Sequence, residues 1–469
     1  NYLYVLMGAR GEPYAKLFVV PTLGGGPREI VHDVDSNIAL SPDEKSVAFV
    51  RPRRNEKEST LVVASIDGSG ERVIATRKQP TDLAREGMAW SPDGKWIAIA
   101  EISYEGGLGR NILLISPDGK TSKTLLDPRW FFVGRLAWLP DSSGLVGSAQ
   151  REEAPVSQLW MFPLDGQPRR ITNDLNSYSD TSLTADGNAL VAVQTDAKSR
   201  MWRVRDGAAT PITPEGDKSG PNRVGLAADS SFIYDSIVSG NLEVWRQMPN
   251  GERRQLTTHP KADYNATISA DGTRVYFQSE RNGPAEFWSM NVEGGEQRSL
   301  YRIGADVSIS VSPDGKWLAY SHLRAIWRLP TAGGSPTKIS EYLSNPPRYS
   351  PDGKWLIAGM SPPGVVRRLE VMIMPAEGGT PREIQPPLPV TAIRNSARFT
   401  PDGKSIAYVN SVSDVANVWI RPLDGEGKQV TTFTDEADIE DFGWSRDGKD
   451  LFVIRNSAVS DVVMISGFH

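Results

Sequence analysis

Residues Ser91 to Ala100 read SPDGKWIAIA. The first five place a hydroxyl, a carboxylate and an amine side by side, which are the groups of catalytic and metal sites. The string returns as SPDGKWLAYS from Ser312 and as SPDGKWLIAG from Ser350. The fold and the function both turn on whether it is a reactive site or a structural part. Aligned on its aspartate, looser copies fill the chain: Asp43, Asp93, Asp141, Asp186, Asp229, Asp271, Asp314, Asp352, Asp402 and Asp447. The spacing stays near 45 residues, a period that marks a repeat architecture.

The variants separate the two readings. Serine gives way to Thr184, Ala227 or Thr400, proline to Ala185, Ala270 or Arg446, glycine to Glu44, Ser142 or Ser230, and lysine to Asn188 or Thr273. Only the aspartate stays in all ten. A catalytic set does not survive such loss, whereas a hairpin turn does. Proline pre-sets φ, the aspartate bonds nearby amides, and glycine takes the left-handed position. On this reading the aspartate matters most and the serine little. A further SPDGK at Ser116 is out of phase, in the turn between a third and a fourth strand.

Around each turn the order is constant. A short strand leads in, and a nearly continuous apolar strand such as WIAIA leads out. A third strand often carries tryptophan (Trp160, Trp202, Trp245, Trp288, Trp327, Trp419), and a short closing strand follows, as in QPRRIT or ERRQLT. No segment sustains a 3.6-residue apolar period. Strands without alternation are covered on both faces. A four-stranded antiparallel unit of this size, covered on both sides, is a β-propeller blade. The expected fold is therefore all-β, about ten blades. Rings have typically four to eight blades, so the chain is expected to form two propellers, with one large ring as the alternative. The boundaries are set at 1–175, with an incomplete first blade, and 176–469, with about seven blades.

Composition narrows the function. The 469 residues carry 52 basic and 57 acidic side chains, a net charge of −5, which leaves no basic footprint for nucleic acid. There is no cysteine, and the four histidines (His32, His259, His322, His469) have no metal-ligand spacing. No cofactor and no metal are expected. No apolar run approaches the ~20 residues of a membrane helix. The chain opens on NYLYVLMGA, a strand already under way, so a preceding segment is expected. No G-x-S-x-G elbow, H-E-x-x-H or Walker loop occurs. Asp441-Phe442-Gly443 spells the kinase D-F-G, but the strand lysine and H-R-D motifs are missing. These absences lead to the expectation that the chain is not an enzyme.

The SPDGK units with their PLDG-type turns and RRIT-type closing strands resemble the TolB-type propeller repeat over the whole chain. Longer strings, among them GGPREIVHDVDSNIALSPDEKSVAFVR, RRITNDLNSYSDTSLTADGNALVAVQ and FGWSRDGKDLFVIRNSAVSDVVMISGF, resemble the C-terminal propeller region of bacterial receptor-type serine/threonine kinases. That resemblance implies an extracytoplasmic sensing or scaffolding domain, tethered through a membrane helix upstream. It names no ligand. The partner is a protein, a peptide or a small molecule. Propellers bind at ring faces through loops entering the innermost strands. The candidate binding residues are therefore Arg85, Glu86, Tyr178, Tyr264, Arg348, Arg394, Asp438, Glu440 and Asp441. Alternatives are a TolB-like periplasmic accessory protein, a channel-site enzyme such as a lyase, and a propeller serving a hydrolase.

Overall fold

The computed structural model describes every residue except 1, 9–13, 54–57, 104–108, 127–129, 152–155, 214–224, 227–230, 237–238, 240, 284, 305–306, 323–324, 363–368, 394–396, 424, 446 and 469. At 52, 53, 226, 343, 390 and 393 the backbone alone is described. Asp229 and Arg394 lie outside the described residues. Within them run 42 strands, numbered β1 to β42 along the chain, and a short 3-10 turn at Val390–Ile393. The strands pair antiparallel, mostly by hairpins, into ten sheets of mainly four strands. The protein is an all-β propeller.

The turn at Ser91 shows why the repeat holds. Gly94 sits at φ 72°, and its amide donates to the carbonyl of Ser91 at 2.9 Å. The Asp93 carboxylate takes the Ser91 hydroxyl at 2.7 Å and the Lys95 amide at 3.1 Å on one oxygen. The same hydroxyl receives the amide of Trp96 at 2.9 Å. The Ser91 hydroxyl, then the Lys95 amide, pull the Asp93 carboxyl down to about 2. Where glycine is replaced, Glu44 and Ser142 keep positive φ, at 56° and 61°. The turn therefore survives the loss of its glycine, with the strain this imposes. The serine does more than its sequence variation suggests. It bonds the aspartate and also closes the loop five residues on. The out-of-phase copy at Ser116 makes the same bonds, between β11 (Gly109–Ile115) and β12 (Ser122–Thr124).

A second repeated device lies at the opposite end of the blades. A threonine two residues past the closing strand takes an amide in the first half of the third strand: Thr172 from Leu159 at 3.0 Å, and Thr257 from Val244 and Thr431 from Val418 at 2.9 Å each. The residue just before each of these amides is polar and buried: Gln158, Glu243 and Asn417, 3%, 2% and 4% exposed. The Thr431 hydroxyl donates to Asn417 Oδ1 at 2.8 Å, and the Thr257 hydroxyl to Glu243 Oε2 at 2.5 Å.

The chain divides into two compact units, Asn1–Asp196 with Val459–His469, and Ala197–Ala458. The second unit contains six sheets. Five span residues 225–255, 263–302, 309–340, 343–383 and 398–429. The sixth combines β41 (Asp438–Trp444), the first part of β42 (Leu451–Ser466), the second part of β18 (Ala189–Arg205) and β19 (Ala208–Pro211). Apolar clusters join each sheet to the next. Met201, Phe452 and Ile454 of the sixth pack on Phe232 and Tyr234 of the first, which closes the ring. The first unit contains sheets at 2–34, 39–78, 81–124 and 132–170. The remaining strands of the β18–β42 sheet, counted once among the ten, also belong here: β17 (Ser177–Leu183), the first part of β18 and the last part of β42. Four clusters link these in order.

The division thus runs at residue 196 and not at 175, and the second unit has six sheets where about seven were expected. The reason is local. No glycine or proline interrupts residues 189–205 or 451–466. What reads as two strands around a polar TDAKS loop is one strand of 17 residues, and β42 likewise runs for 16. The repeat that begins at the Asp186 turn therefore gives its first strands to one unit and its last to the other.

Candidate functional site

In the second unit the innermost strand of each sheet lies against its neighbours. Contacts run between β20 (Gly225–Leu226), β24 (Asp263–Ile268), β28 (Ile309–Val311), β33 (Arg348–Tyr349) and β37 (Arg398–Phe399), and β41 meets β20. These strands form the inner wall of the ring. A charged cluster stands on three of them. Asp441, 3% exposed, accepts from Nη2 of Arg398 and from Nη2 of Arg348 at 3.2 Å. The Arg398 guanidinium lies 4.1 Å from the centroid of the Phe442 ring, a cation–π contact that helps hold a largely buried charge. Arg348 is less enclosed, with its side chain 23% exposed. Two guanidiniums thus share the Asp441 carboxylate.

Arg348 and Asp441 are two of the residues expected at the site, and the structure brings them together. Arg398 was missed. Its signal is a departure from the repeat. The residue two before each turn is small: Ala39, Ala89, Ala137, Ser182, Gly225, Thr267, Ser310 and Gly443. Only Arg348 and Arg398 break this, in consecutive repeats. Both occupy the same register, Arg348 opposite Ile357 and Arg398 opposite Ala407.

The other expected residues are scattered. On the same strand, Asp438 is exposed, and Glu440 accepts from Asn456 Nδ2 at 3.4 Å. Tyr264 donates its hydroxyl to Glu280 at 2.9 Å. Arg85, Glu86 and Tyr178 belong to the first unit. Arg85 pairs with Asp35 at 3.0 Å, and Glu86 with Arg110 at 3.4 Å. Tyr178 is a core residue, 4% exposed, between the Asp174 carboxylate and the Gln194 amide at 2.7 Å each. Burial, then the hydrogen bond to Asp174, raise its phenol above the ordinary range.

Between the first two sheets of the second unit lies a buried carboxylate pair. Asp263 is fully buried and accepts from Arg281 Nη2 at 2.6 Å. Arg281 itself stacks 4.4 Å from the centroid of the Trp288 ring. Burial pushes the Glu243 carboxyl up to about 7, against the Thr257 hydroxyl, and the Asp263 charge adds to the rise. Burial raises Asp263 as well. Among the described residues no three histidine, aspartate or glutamate side chains gather into a metal-binding group. No described helix is long and apolar enough to cross a membrane.

No family model matches the chain. A curated relative is dipeptidyl-peptidase 5 of Porphyromonas gingivalis, 25% identical over 268 residues, which is 54% of this chain and 36% of that protein. Another is an uncharacterised protein of Agrobacterium fabrum, 25% identical over 202 residues, 40% of this chain and 69% of that one. Among solved structures, the putative TolB of Agrobacterium tumefaciens covers 56% of this chain and is itself covered to 99%, at 18% identity and a TM-score of 0.46. The dipeptidyl-peptidase corrects the expectation that the chain is not an enzyme. The missing nucleophile elbow was the wrong test, because propeller sheets carry binding surfaces and not that strand–turn–helix motif. The chain spans about a third of this relative's length, so the peptidase's activity enters only as a proposal.

Proposed function

We propose that the protein is an extracytoplasmic propeller scaffold that binds peptide for hydrolysis, with the inner wall of its second unit as the docking face. The observation that carries this reading is the Arg348–Asp441–Arg398 cluster. It places a partly exposed guanidinium beside its twin on strands whose other repeats hold small residues. Arg348 suits the carboxylate of a peptide, from a side chain or the C-terminus, since guanidinium donors match carboxylates bidentately. Exposed Asp438, on the same strand as Asp441, suits the amine end. The similarity to a dipeptidyl-peptidase supports peptide as the ligand class.

The test is fluorescence anisotropy with a labelled pool of acidic hexapeptides. Arg348→Ala should weaken binding by about 10- to 100-fold, the value of a charge-assisted bond, at unchanged melting temperature. Equal affinity of wild type and variant would remove the inner wall from the function. A second reading, the sensor part of a receptor-type kinase, is favoured by the strings that resemble such propellers. It predicts that peptide binding is coupled to phosphotransfer in the full-length protein and not to peptide cleavage.

A further inference from the structure

A cleft of about 400 Å³ opens between the fourth and fifth sheets of the second unit, on the face that carries the turns. Its volume lies in the range of small-ligand pockets. Ile373, Phe399 and Leu423 supply apolar walls, and Arg382, Asp352 and Asp402 supply charge. We propose that this cleft binds a small amphipathic zwitterion, of the class of free amino acids and unblocked dipeptides. The inference stands apart from the inner-wall reading, because none of the three inner-wall cluster residues lines the cleft.

The charges decide the class. Arg382 is exposed, and among the described residues no carboxylate pairs with it. Its guanidinium lies 4.9 Å from the centroid of the Trp355 ring. That cation–π contact anchors the guanidinium over the ring, and its N–H donors remain for a carboxylate. Asp352 and Asp402 each commit Oδ1 to their own turn, through a hydroxyl at 2.6 Å and an amide at 3.1 Å. In the turns at Asp93 and Asp314 the turn's lysine covers the other oxygen, at 3.0 and 3.7 Å. At Asp352 and Asp402 Oδ2 has no such partner among the described residues. The turn hydroxyls hold both carboxyls below the ordinary range, so both are charged at neutral pH.

One cation and two anions around an apolar floor suit a ligand with a carboxylate, an ammonium and a hydrophobic side chain. Other classes fit worse. A sugar needs an open aromatic face, and the guanidinium already occupies the one at Trp355. A phosphate or nucleotide would meet two carboxylates against one arginine, with like-charge repulsion.

Calorimetric titration of the whole chain with alanyl-leucine, leucine and N-acetyl-leucine amide tests the assignment. Free-ended probes should bind with Kd below about 1 mM, and the doubly capped probe at least about tenfold more weakly. Arg382→Ala should cost the free-ended probes about tenfold at unchanged melting temperature, and Arg382→Lys less, since charge remains but the fork is lost. Arg348→Ala should leave these titrations unchanged, which separates the cleft from the inner wall. No heat up to about 10 mM probe, equal binding of the capped probe, or equal binding by Arg382→Ala would each overturn the proposal.

Discussion

Glu243→Gln should stabilise the protein at alkaline pH and do little in acid. The residue precedes the threonine-held amide of a third strand, where equivalent blades have Gln158 and Asn417. Glutamine keeps an oxygen for the Thr257 hydroxyl, so the repeated hydrogen bond survives. Only the buried charge is lost. In the folded chain burial lifts the carboxyl from 4.5 to about 7. The folded state therefore holds a proton between these values that the unfolded state releases. Stability contributed by the protonated acid is complete below about 4.5 and is lost as pH rises to about 7, by about 3 kcal/mol at 1.36 kcal/mol per unit. The variant should match wild type near pH 4.5 and exceed it by up to about 3 kcal/mol at pH 8. Half-buried His322, whose imidazole is depressed by burial, works in the opposite sense through the acid part of this window. It is common to both proteins and cancels in their difference. Asp263, raised by burial and held by Arg281, leaves a residual slope in the variant. Urea unfolding followed by tryptophan fluorescence, with Trp245 and Trp288 in the flanking sheets, reads the effect. A wild type equally stable at pH 5 and pH 8 relative to the variant would refute the reasoning. So would a variant weaker at both.

Two further outcomes concern stability. Asp93→Ala should cost about 0.5–2 kcal/mol through the lost turn bonds, and Ser91→Ala a similar amount, read by urea unfolding without any change in peptide binding. A silent Ser91→Ala would mean that its hydroxyl is dispensable after all. Asp441→Asn should destabilise by about 3 kcal/mol, since it removes the carboxylate that the largely buried Arg398 and the partly exposed Arg348 share, and should weaken peptide binding as well. A variant that melts and binds as wild type would dissolve the inner-wall cluster as a unit.

The turns, the blade order and the blade cores were legible because each is local. Asp93 can reach Ser91 and Lys95 whatever the rest of the chain does, and a run such as WIAIA declares burial on both faces. Strand continuity was not legible. TDAKS is polar and contains Asp and Ser, both turn-favouring, yet nothing in it forces a turn as glycine or proline would. The pairing of β18 with β42, some 260 residues later, keeps it extended through contacts such as Thr195 to Ser460 at 3.0 Å. The closing threonine was visible in RRIT and RQLT but had no assigned task, because its partner amide lies 13 residues back in the sequence. Tyr178 was misplaced for a related reason. A tyrosine at the start of an innermost strand reads as a rim residue. Its partners Asp174 and Gln194 instead draw the hydroxyl inward and let the ring join a core.

A repeat hides its binding residues among its structural ones, and subtracting the repeat exposes them. The position two before the turn faces a crowded inner wall, so small side chains are what packing demands there. Arginine meets none of that demand. It is long and charged and has to be neutralised where it is enclosed. Arg398 is held by the Asp441 carboxylate and the Phe442 ring, and it passes beside Gly443, where a Cβ would make only an ordinary contact, 3.8 Å from Arg398 Nη1. Gly443 is the same repeat position in the next sheet. Two adjacent repeats thus carry arginine where the rest alternate among alanine, serine, threonine and glycine. Neither turn nor core requires this departure. Buried ion pairs are weak contributors to stability compared with well-packed apolar groups. What the departure adds to the ring is a guanidinium with donors to spare, and a ligand that brings a carboxylate is the chemistry it answers.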